Sequence, residues 1–254
     1  MRWLCLLLVL LVACTPSVDD GNTPSALTVS AASDLIPAFE RIGALFSSET
    51  GIAVTFNFGS SGQLAQQIEQ GAPVDVFASA SRDYIDELTR SDLIILDTVT
   101  AYALGRITIW TRSDSLLQLT GLNDLVNPAV KRIAIANPAH APYGAAACEA
   151  LENAGIWDRV QDKLVFGNSV SQTLQMVETN GVDVAIVALS LSIGTDGAWV
   201  LIPDTAHNPI EQVIGVVRMT KNEPAARQFI AFVKGESGTA ILKDFGFVIP
   251  EADS

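Results

Sequence analysis

Four positions in this 254-residue chain place a hydroxyl residue at the predicted start of a helix: Ser33, Ser61, Tyr143 and Ser169. The first turn of a helix leaves about four backbone N–H groups unpaired and carries about half a positive charge. Such a turn holds an oxyanion without any basic side chain. Residues 58–64 (FGSSGQL) are the clearest example, because small and hydroxyl residues stand there between a predicted strand and a predicted helix. These positions predict a site for a small anion.

A second interpretation of the same serines is purely structural. Serine is a preferred N-cap residue, and such a cap contributes about 1 kcal/mol to stability. Taken singly, Ser33, Ser61 or Ser169 is more often a cap than a ligand. The two roles are compatible, because a capping hydroxyl still has a proton to donate to an oxyanion.

The charge of the chain limits the classes of partner. There are 28 acidic and 15 basic residues, and the formal net charge is −13. This charge repels anions, so an anion site here depends on local dipoles. A nucleic-acid partner is not expected for the same reason.

The alternative classes have little support in the residues. A hydrolase could use Ser61 with His140, but His140 lies in a loop where a surface residue is the simpler interpretation, and there is no Gly-x-Ser-x-Gly elbow. The few His and Cys residues lack the spacing of a structural zinc site. An adhesion or scaffold module would need an exposed aromatic patch, and the 17 aromatic residues form no cluster in the sequence. The chain is therefore interpreted as a binding protein and not an enzyme.

The elements that position these residues alternate along the chain, which predicts an α/β fold with a largely parallel sheet. In such sheets ligands bind outside the carboxyl ends of the strands, so two facing lobes would bring the four turns together. Strands are predicted at residues 27–30, 52–58, 74–78, 107–110, 132–136, 163–166, 182–188 and 213–217. Helices are predicted around residues 39–46, 64–71, 84–88, 143–154, 169–179, 225–233 and 239–245.

The N-terminus predicts export. Residues 1–13 contain an apolar run that is too short to span a bilayer and is typical of a signal peptide. Residues 11–14 (LVAC) resemble a bacterial lipobox, which makes Cys14 the expected lipidation site and membrane anchor; an ordinary signal peptide with a chance cysteine is the alternative. Residues 14–26 are predicted to be a flexible tether. Cys148 is then the single cysteine of the folded part, so no disulfide is expected there.

Several motifs resemble one known family, the molybdate-binding proteins of bacterial ABC uptake systems. They are residues 30–35 (SAASDL), 58–64 (FGSSGQL), 67–80 (QIEQGAPVDVFASA) and 242–247 (LKDFGF). The resemblance implies a type II periplasmic-binding-protein fold, with two α/β lobes of mostly parallel sheet joined by a hinge of two crossover segments. Lobe 1 is expected to comprise residues 27–104 plus 214–254, and lobe 2 residues 105–213.

The resemblance also implies the ligand and its contacts. The expected ligand is molybdate or tungstate, with sulfate or another tetrahedral oxyanion as the alternative. The protein would not contact the metal atom of the oxyanion directly. The oxygens of the ion would accept hydrogen bonds from the hydroxyls of Ser33 and Ser61 and from the backbone N–H groups of Tyr143 and Val170. No further cofactor is implied. The expected partner is an ABC permease, and the protein is expected to be an exported, membrane-anchored monomer.

Two positions depart from the family pattern. Many members have a tyrosine, whose hydroxyl reaches the anion, where this chain has Ala188. We expect the phenol of Tyr143 to replace that donor, with Ser190 as a possible additional one. Asp34 would repel a dianion, so its backbone N–H is expected to face the site while its carboxylate turns away and caps the helix that begins near Leu35.

Overall fold

The computed structural model describes residues 26–250 of the chain. The signal peptide, the Cys14 lipidation site and nearly all of the tether predicted from the sequence lie outside these residues. In chain order, the strands are β1 (Leu27–Ala32), β2 (Val54–Gly59), β3 (Val76–Ser79), β4 (Thr100–Gly105), β5 (Ile107–Arg112), β6 (Ile133–Ala136), β7 (Leu164–Gly167), β8 (Val184–Ala188), β9 (Gly197–Leu201) and β10 (Ile210–Val216).

Helices cover both sheets and connect most of the strands. The α-helices are α1 (Ile36–Thr50), α2 (Ser61–Glu69), α3 (Arg82–Arg90), α4 (Pro142–Asn153), α5 (Trp157–Val160), α6 (Val170–Glu178), α7 (Leu189–Ser192), α8 (Glu223–Lys234) and α9 (Glu236–Asp244). Short 3-10 helices occur at Ser33–Leu35, Leu96–Thr98, Leu122–Val126, Gln161–Lys163 and Asp204–Ala206.

The strands form two five-stranded sheets, in the orders β2-β1-β3-β10-β4 and β7-β6-β8-β5-β9. We call the first sheet with its helices lobe 1 and the second lobe 2. The predicted two-lobed α/β fold is confirmed. Each sheet is mixed: β1 pairs in parallel with β2 and β3, and β6 with β7 and β8, while β10 and β5 run antiparallel to both of their neighbours. Parallel pairing therefore accounts for half of the strand pairs in each lobe.

The chain changes lobe at two places. The first lies at Arg106, between β4 and β5, and the second lies between β9 and β10. Strand β10 begins at Ile210 and pairs with β4 of lobe 1, whereas the sequence interpretation kept residues 210–213 in lobe 2. That boundary was placed too late, because the strand extends three residues before the apolar run from which it was predicted.

Helix α1 shows how local sequence builds the core of lobe 1. Its first turn contains a proline, which a helix tolerates because the first N–H groups have no intrahelical acceptor. Phe39, Ile42 and Phe46 recur at helical spacing and are fully buried. The helix ends at Gly51, whose φ of 74° is in the left-handed region that glycine adopts without strain. The ring of Phe46 packs edge-on against Phe229 of α8, with 5.3 Å between ring centroids.

Among residues 26–250, no helix combines the length and the apolar character needed to cross a membrane.

Candidate functional site

A small cavity lies between the two lobes, where the carboxyl ends of β1, β2 and β3 meet the starts of α2, α4 and α6. It contains all four residues that the sequence nominated as anion ligands. The wall consists of Ala32, Ser33, Asp34, Gly59, Ser60, Ser61, Ala80, Ala141, Pro142, Tyr143 and Val170. No lysine, arginine or histidine is in this wall. Any anion held here is therefore stabilised by hydroxyl and backbone dipoles and not by a countercharge.

The hydroxyls of Ser33 and Ser61 are held in place by backbone donors. Ser61 is the first residue of α2, and its Oγ accepts the N–H of Ala80 at 3.0 Å. Ser33 begins the 3-10 helix after β1, and its Oγ accepts the N–H of Ser171 from lobe 2 at 3.3 Å. Within the described part of the chain, neither hydroxyl donates to a protein acceptor. Each serine thus keeps one proton to donate to a ligand.

The backbone N–H groups of Tyr143 and Val170 come from lobe 2. Val170 is the first residue of α6, and Tyr143 follows Pro142 at the start of α4. First-turn N–H groups have no intrahelical acceptor. The neighbouring Ser169 is the N-cap of α6, and its Oγ accepts the N–H of Gln172 at 3.2 Å. Ser169 is therefore a cap, whereas Ser61 belongs to the cavity wall.

The phenol of Tyr143 has a different role from the one expected. Its hydroxyl donates to Oδ2 of Asp34 at 2.9 Å and lies against Gly105, where the chain leaves lobe 1. Because its proton goes to a carboxyl group, the hypothesis that this phenol replaces the missing family tyrosine is wrong for this structure. Ala188, which stands at the family position, is fully buried at the end of β8.

Asp34 is fully buried and does not cap a helix, contrary to expectation. Its Oδ2 accepts from Tyr143 and from Nε2 of Gln212, which is 2.9 Å away on β10. Burial raises the pKa of Asp34 from 3.8 to about 7, and the hydrogen bonds from Tyr143, from its own N–H and from Gln212 oppose that rise.

Ser190 joins the lobes but does not face the cavity. It belongs to α7 of lobe 2, is buried, and donates its hydroxyl proton to the backbone oxygen of Asp34 at 2.7 Å. Its proton is used within the protein, so its proposed role as an additional anion donor is also wrong. The contact instead fixes the 3-10 turn that carries Ser33.

His140 lies in the cleft and not at the open surface that the sequence suggested. Its Nδ1 is 2.8 Å from Oγ of Ser60, and its backbone oxygen accepts the N–H of Gly62 at 2.9 Å. The histidine therefore contacts Ser60 and not Ser61, and within residues 26–250 no carboxylate contacts its ring. The Ser61–His140 pair that a hydrolase would need does not form. In the sequence, the Ser60-Ser61 turn was predicted to be part of an anion site, whereas His140 was considered only as a hydrolase partner of Ser61.

Comparisons with known proteins place the chain in a family. Residues 27–248 match the profile of a family described as bacterial extracellular solute-binding protein. The chain belongs to this family. As an extracellular solute-binding protein it is expected to be exported, and its interpretation as a binding protein and not an enzyme is confirmed.

Individual relatives agree with the resemblance found in the motifs. This solute-binding protein is 34% identical to the molybdate-binding protein ModA of Rhodobacter capsulatus over 211 residues, which cover 82% of each chain. It is 30% identical to YvgL of Bacillus subtilis, named as an ABC transporter substrate-binding lipoprotein, over 91% of this chain and 89% of that one.

A solved structure gives the same result. The periplasmic molybdate-binding protein of Azotobacter vinelandii superimposes with a TM-score of 0.84 at 30% sequence identity, over 89% of this chain and 100% of that chain. The resemblance to molybdate-binding proteins is thereby confirmed at the level of the whole fold.

Proposed function

We propose that this protein captures molybdate or tungstate outside the cytoplasm and delivers it to an ABC permease. The observation that carries the proposal is the cavity in which Ser33 and Ser61 each keep a free hydroxyl proton while the helix starts at Tyr143 and Val170 face them from the other lobe. A tetrahedral dianion has four oxygens to accept from such donors. The relatives named as molybdate-binding proteins support this ligand.

The hydrogen bonds of this site supply a large part of the free energy that capture requires. A hydrogen bond to a charged group contributes about 1.5–3 kcal/mol, so four of them supply about 6–12 kcal/mol before the cost of association. A micromolar dissociation constant corresponds to about 8 kcal/mol. The wall contains no lysine or arginine, so this free energy comes from hydroxyl and backbone donors.

Sulfate is the alternative ligand, because it shares the charge and shape of molybdate and differs in size. The donors of the cavity do not distinguish the two ions by charge. The names of the relatives favour the larger oxyanions. Selection would depend on how closely the lobes approach around the ion.

Membrane attachment belongs to the same proposal. Cys14 lies in a lipobox-like sequence, and the name of the YvgL relative includes the word lipoprotein. Lipidation of Cys14 would hold the protein at the cell envelope beside its permease. Mass spectrometry of the mature N-terminus tests this attachment.

Titration calorimetry with molybdate, tungstate, sulfate and phosphate tests the ligand. We expect heat of binding with molybdate and tungstate, and a loss of affinity of about 10-fold or more in Ser33→Ala and in Ser61→Ala, since each loses a donor to a charged ligand. Ser48→Ala is the matched control, because this serine is exposed on α1 and is absent from the cavity wall. No binding of any oxyanion would overturn the proposal, and tight binding of sulfate alone would replace it with the alternative.

A further inference from the structure

One residue of lobe 2 makes two hydrogen bonds to the start of α2 in lobe 1. His140 lies in the loop between β6 and α4, and its ring Nδ1 is 2.8 Å from Ser60 Oγ. Its backbone oxygen accepts the Gly62 N–H at 2.9 Å. We call these two bonds the His140 contact. Their partners in lobe 1, Ser60 and Gly62, stand on either side of Ser61 in the sequence. Ser60 is only 4% exposed, so the bond to its hydroxyl is shielded from water.

The loop that carries His140 is fixed within lobe 2. The backbone oxygen of Asn137 accepts the N–H groups of His140 and Ala141 at 3.2 and 2.9 Å, and its side-chain Oδ1 accepts that of Ala139 at 3.1 Å. The N–H of Asn137 donates to Gly167 at the end of β7. The loop continues directly into α4, and His140 is only three residues before Tyr143. The position of His140 is therefore coupled to that of the Tyr143 N–H.

The His140 contact also decides which N–H groups of α2 remain for a ligand. Gly62 is in the first turn of α2, where its N–H has no intrahelical acceptor. In this structure the carbonyl of His140 takes this donor. His140 itself is absent from the cavity wall, so it acts on the site only through Ser60 and Gly62.

On the basis of the proposed function, we propose that His140 is a positioning residue for oxyanion capture, which holds the closed lobes together at the start of α2 and slows release of the ligand. It bonds to residues on either side of Ser61, whose hydroxyl keeps a proton for the anion. Both bonds of the His140 contact join different lobes and are therefore lost on opening. Opening must precede release, so their free energy adds to the barrier for release and not to the encounter with the ligand.

Stopped-flow measurement of molybdate association and release tests this role. In His140→Ala we expect the release rate to rise about fivefold, as for the loss of one hydrogen bond, with the association rate unchanged within about twofold. In His140→Asn the side-chain amide places a polar atom where Nδ1 stands, so we expect release to return to within about twofold of the wild type. Ala139→Ser is the control, because Ala139 is exposed on the same loop.

A double-mutant cycle identifies the partner. Ser60→Ala and His140→Ala should each speed release, and the double variant should release no faster than the more affected single variant. Wild-type release rates in His140→Ala, or additive effects in the cycle, would overturn the proposal while leaving molybdate binding intact. Failure of the wild-type protein to bind any oxyanion is a separate outcome, which would reject the proposed function and this role with it.

Discussion

The hydroxyl oxygens of the two serine donors each accept a hydrogen bond from a backbone N–H. Ser61 accepts from Ala80, Ser33 accepts from Ser171, and the 3-10 turn of Ser33 is held by the Ser190 hydroxyl. A hydroxyl whose oxygen is already fixed by an N–H loses little rotational freedom when its proton is donated to a ligand. The Ser61 hydroxyl is therefore preorganised within lobe 1, whereas the Ser33 hydroxyl is oriented by lobe 2 only when the lobes are together.

Asp34 is the residue whose charge opposes this arrangement, and its titration gives a prediction. Burial between the lobes raises the pKa of Asp34 to about 7. Opening the lobes removes part of that burial, so we expect a lower pKa in the open form and uptake of a proton on closing in the range up to about pH 7. Molybdate affinity should fall as the pH rises through this range, by up to about tenfold per pH unit, because one proton must be bound. A bound dianion extends the range to higher pH, since it disfavours the carboxylate further.

Titration calorimetry at about pH 5.5, 7 and 8.5 measures this dependence. Asp34→Asn should show a flat profile and bind more tightly than the wild type at the highest pH, because the amide is neutral throughout. Asp75→Asn is the matched control, since Asp75 is a buried carboxylate that bonds to Thr28 and Asn222 and not to the cavity. Identical profiles for wild type and Asp34→Asn would contradict the assignment.

At the scale of elements, α2 contributes to the site through the close approach of its first turn to lobe 2. A Cβ on Gly62 would lie 2.8 Å from Oη of Tyr84 and 2.9 Å from the backbone oxygen of His140. Contacts below 3.0 Å require a shift, and the carbonyl belongs to the backbone of the opposite lobe. Gly62 is therefore required for full closure and not for the fold of α2 itself.

Gly62→Ala should lower molybdate affinity by about tenfold or more, because the added methyl group holds the lobes apart. The unliganded protein should not lose thermal stability, since alanine is favoured over glycine in a helix by about 1 kcal/mol. Gly121→Ala is the control, because a Cβ there meets no atom within 4 Å and the φ of 176° is extended backbone. Calorimetry and thermal denaturation separate the two effects, and wild-type affinity in Gly62→Ala would be evidence against the steric argument.

The elements of the fold were predictable where the pattern is local. The alternation of apolar runs predicted β1, β3 and β8, whose residues are nearly all buried. Strands β4 and β9, which lie at the edges of their sheets and are only partly buried, were missed. Four turns were located correctly because hydroxyl and glycine residues mark helix starts in the sequence itself.

The side-chain partners in the cleft could not be predicted in this way. Tyr143 and Asp34 are 109 positions apart, Ser190 and Asp34 are 156 apart, and Ser60 and His140 are 80 apart. Such contacts depend on how the two lobes face each other, and spacing along the chain carries no information about that arrangement. The sequence therefore nominated candidate donors but not the bonds that orient them.

For the whole molecule, the charge of −13 affects the approach of a dianion before any donor contacts it. The field of the protein repels the ligand at distances comparable to the Debye length, which is about 30 Å at 0.01 M salt and about 8 Å at 0.15 M. Within the cavity the donors act over hydrogen-bond distances, where mobile ions do not screen them. Long-range repulsion and short-range binding are thus separated by distance.

This separation predicts an unusual dependence on salt. The association rate of molybdate should increase by a factor of about 3 or more as sodium chloride is raised from about 10 to about 150 mM, because screening removes the repulsion. The release rate should change little, since the closed site excludes salt ions. Stopped-flow kinetics at a series of sodium chloride concentrations measures both rates. A fall in the association rate with salt would contradict this prediction. It would show that basic side chains near the mouth of the cleft, and not the net charge, control the approach of the ligand.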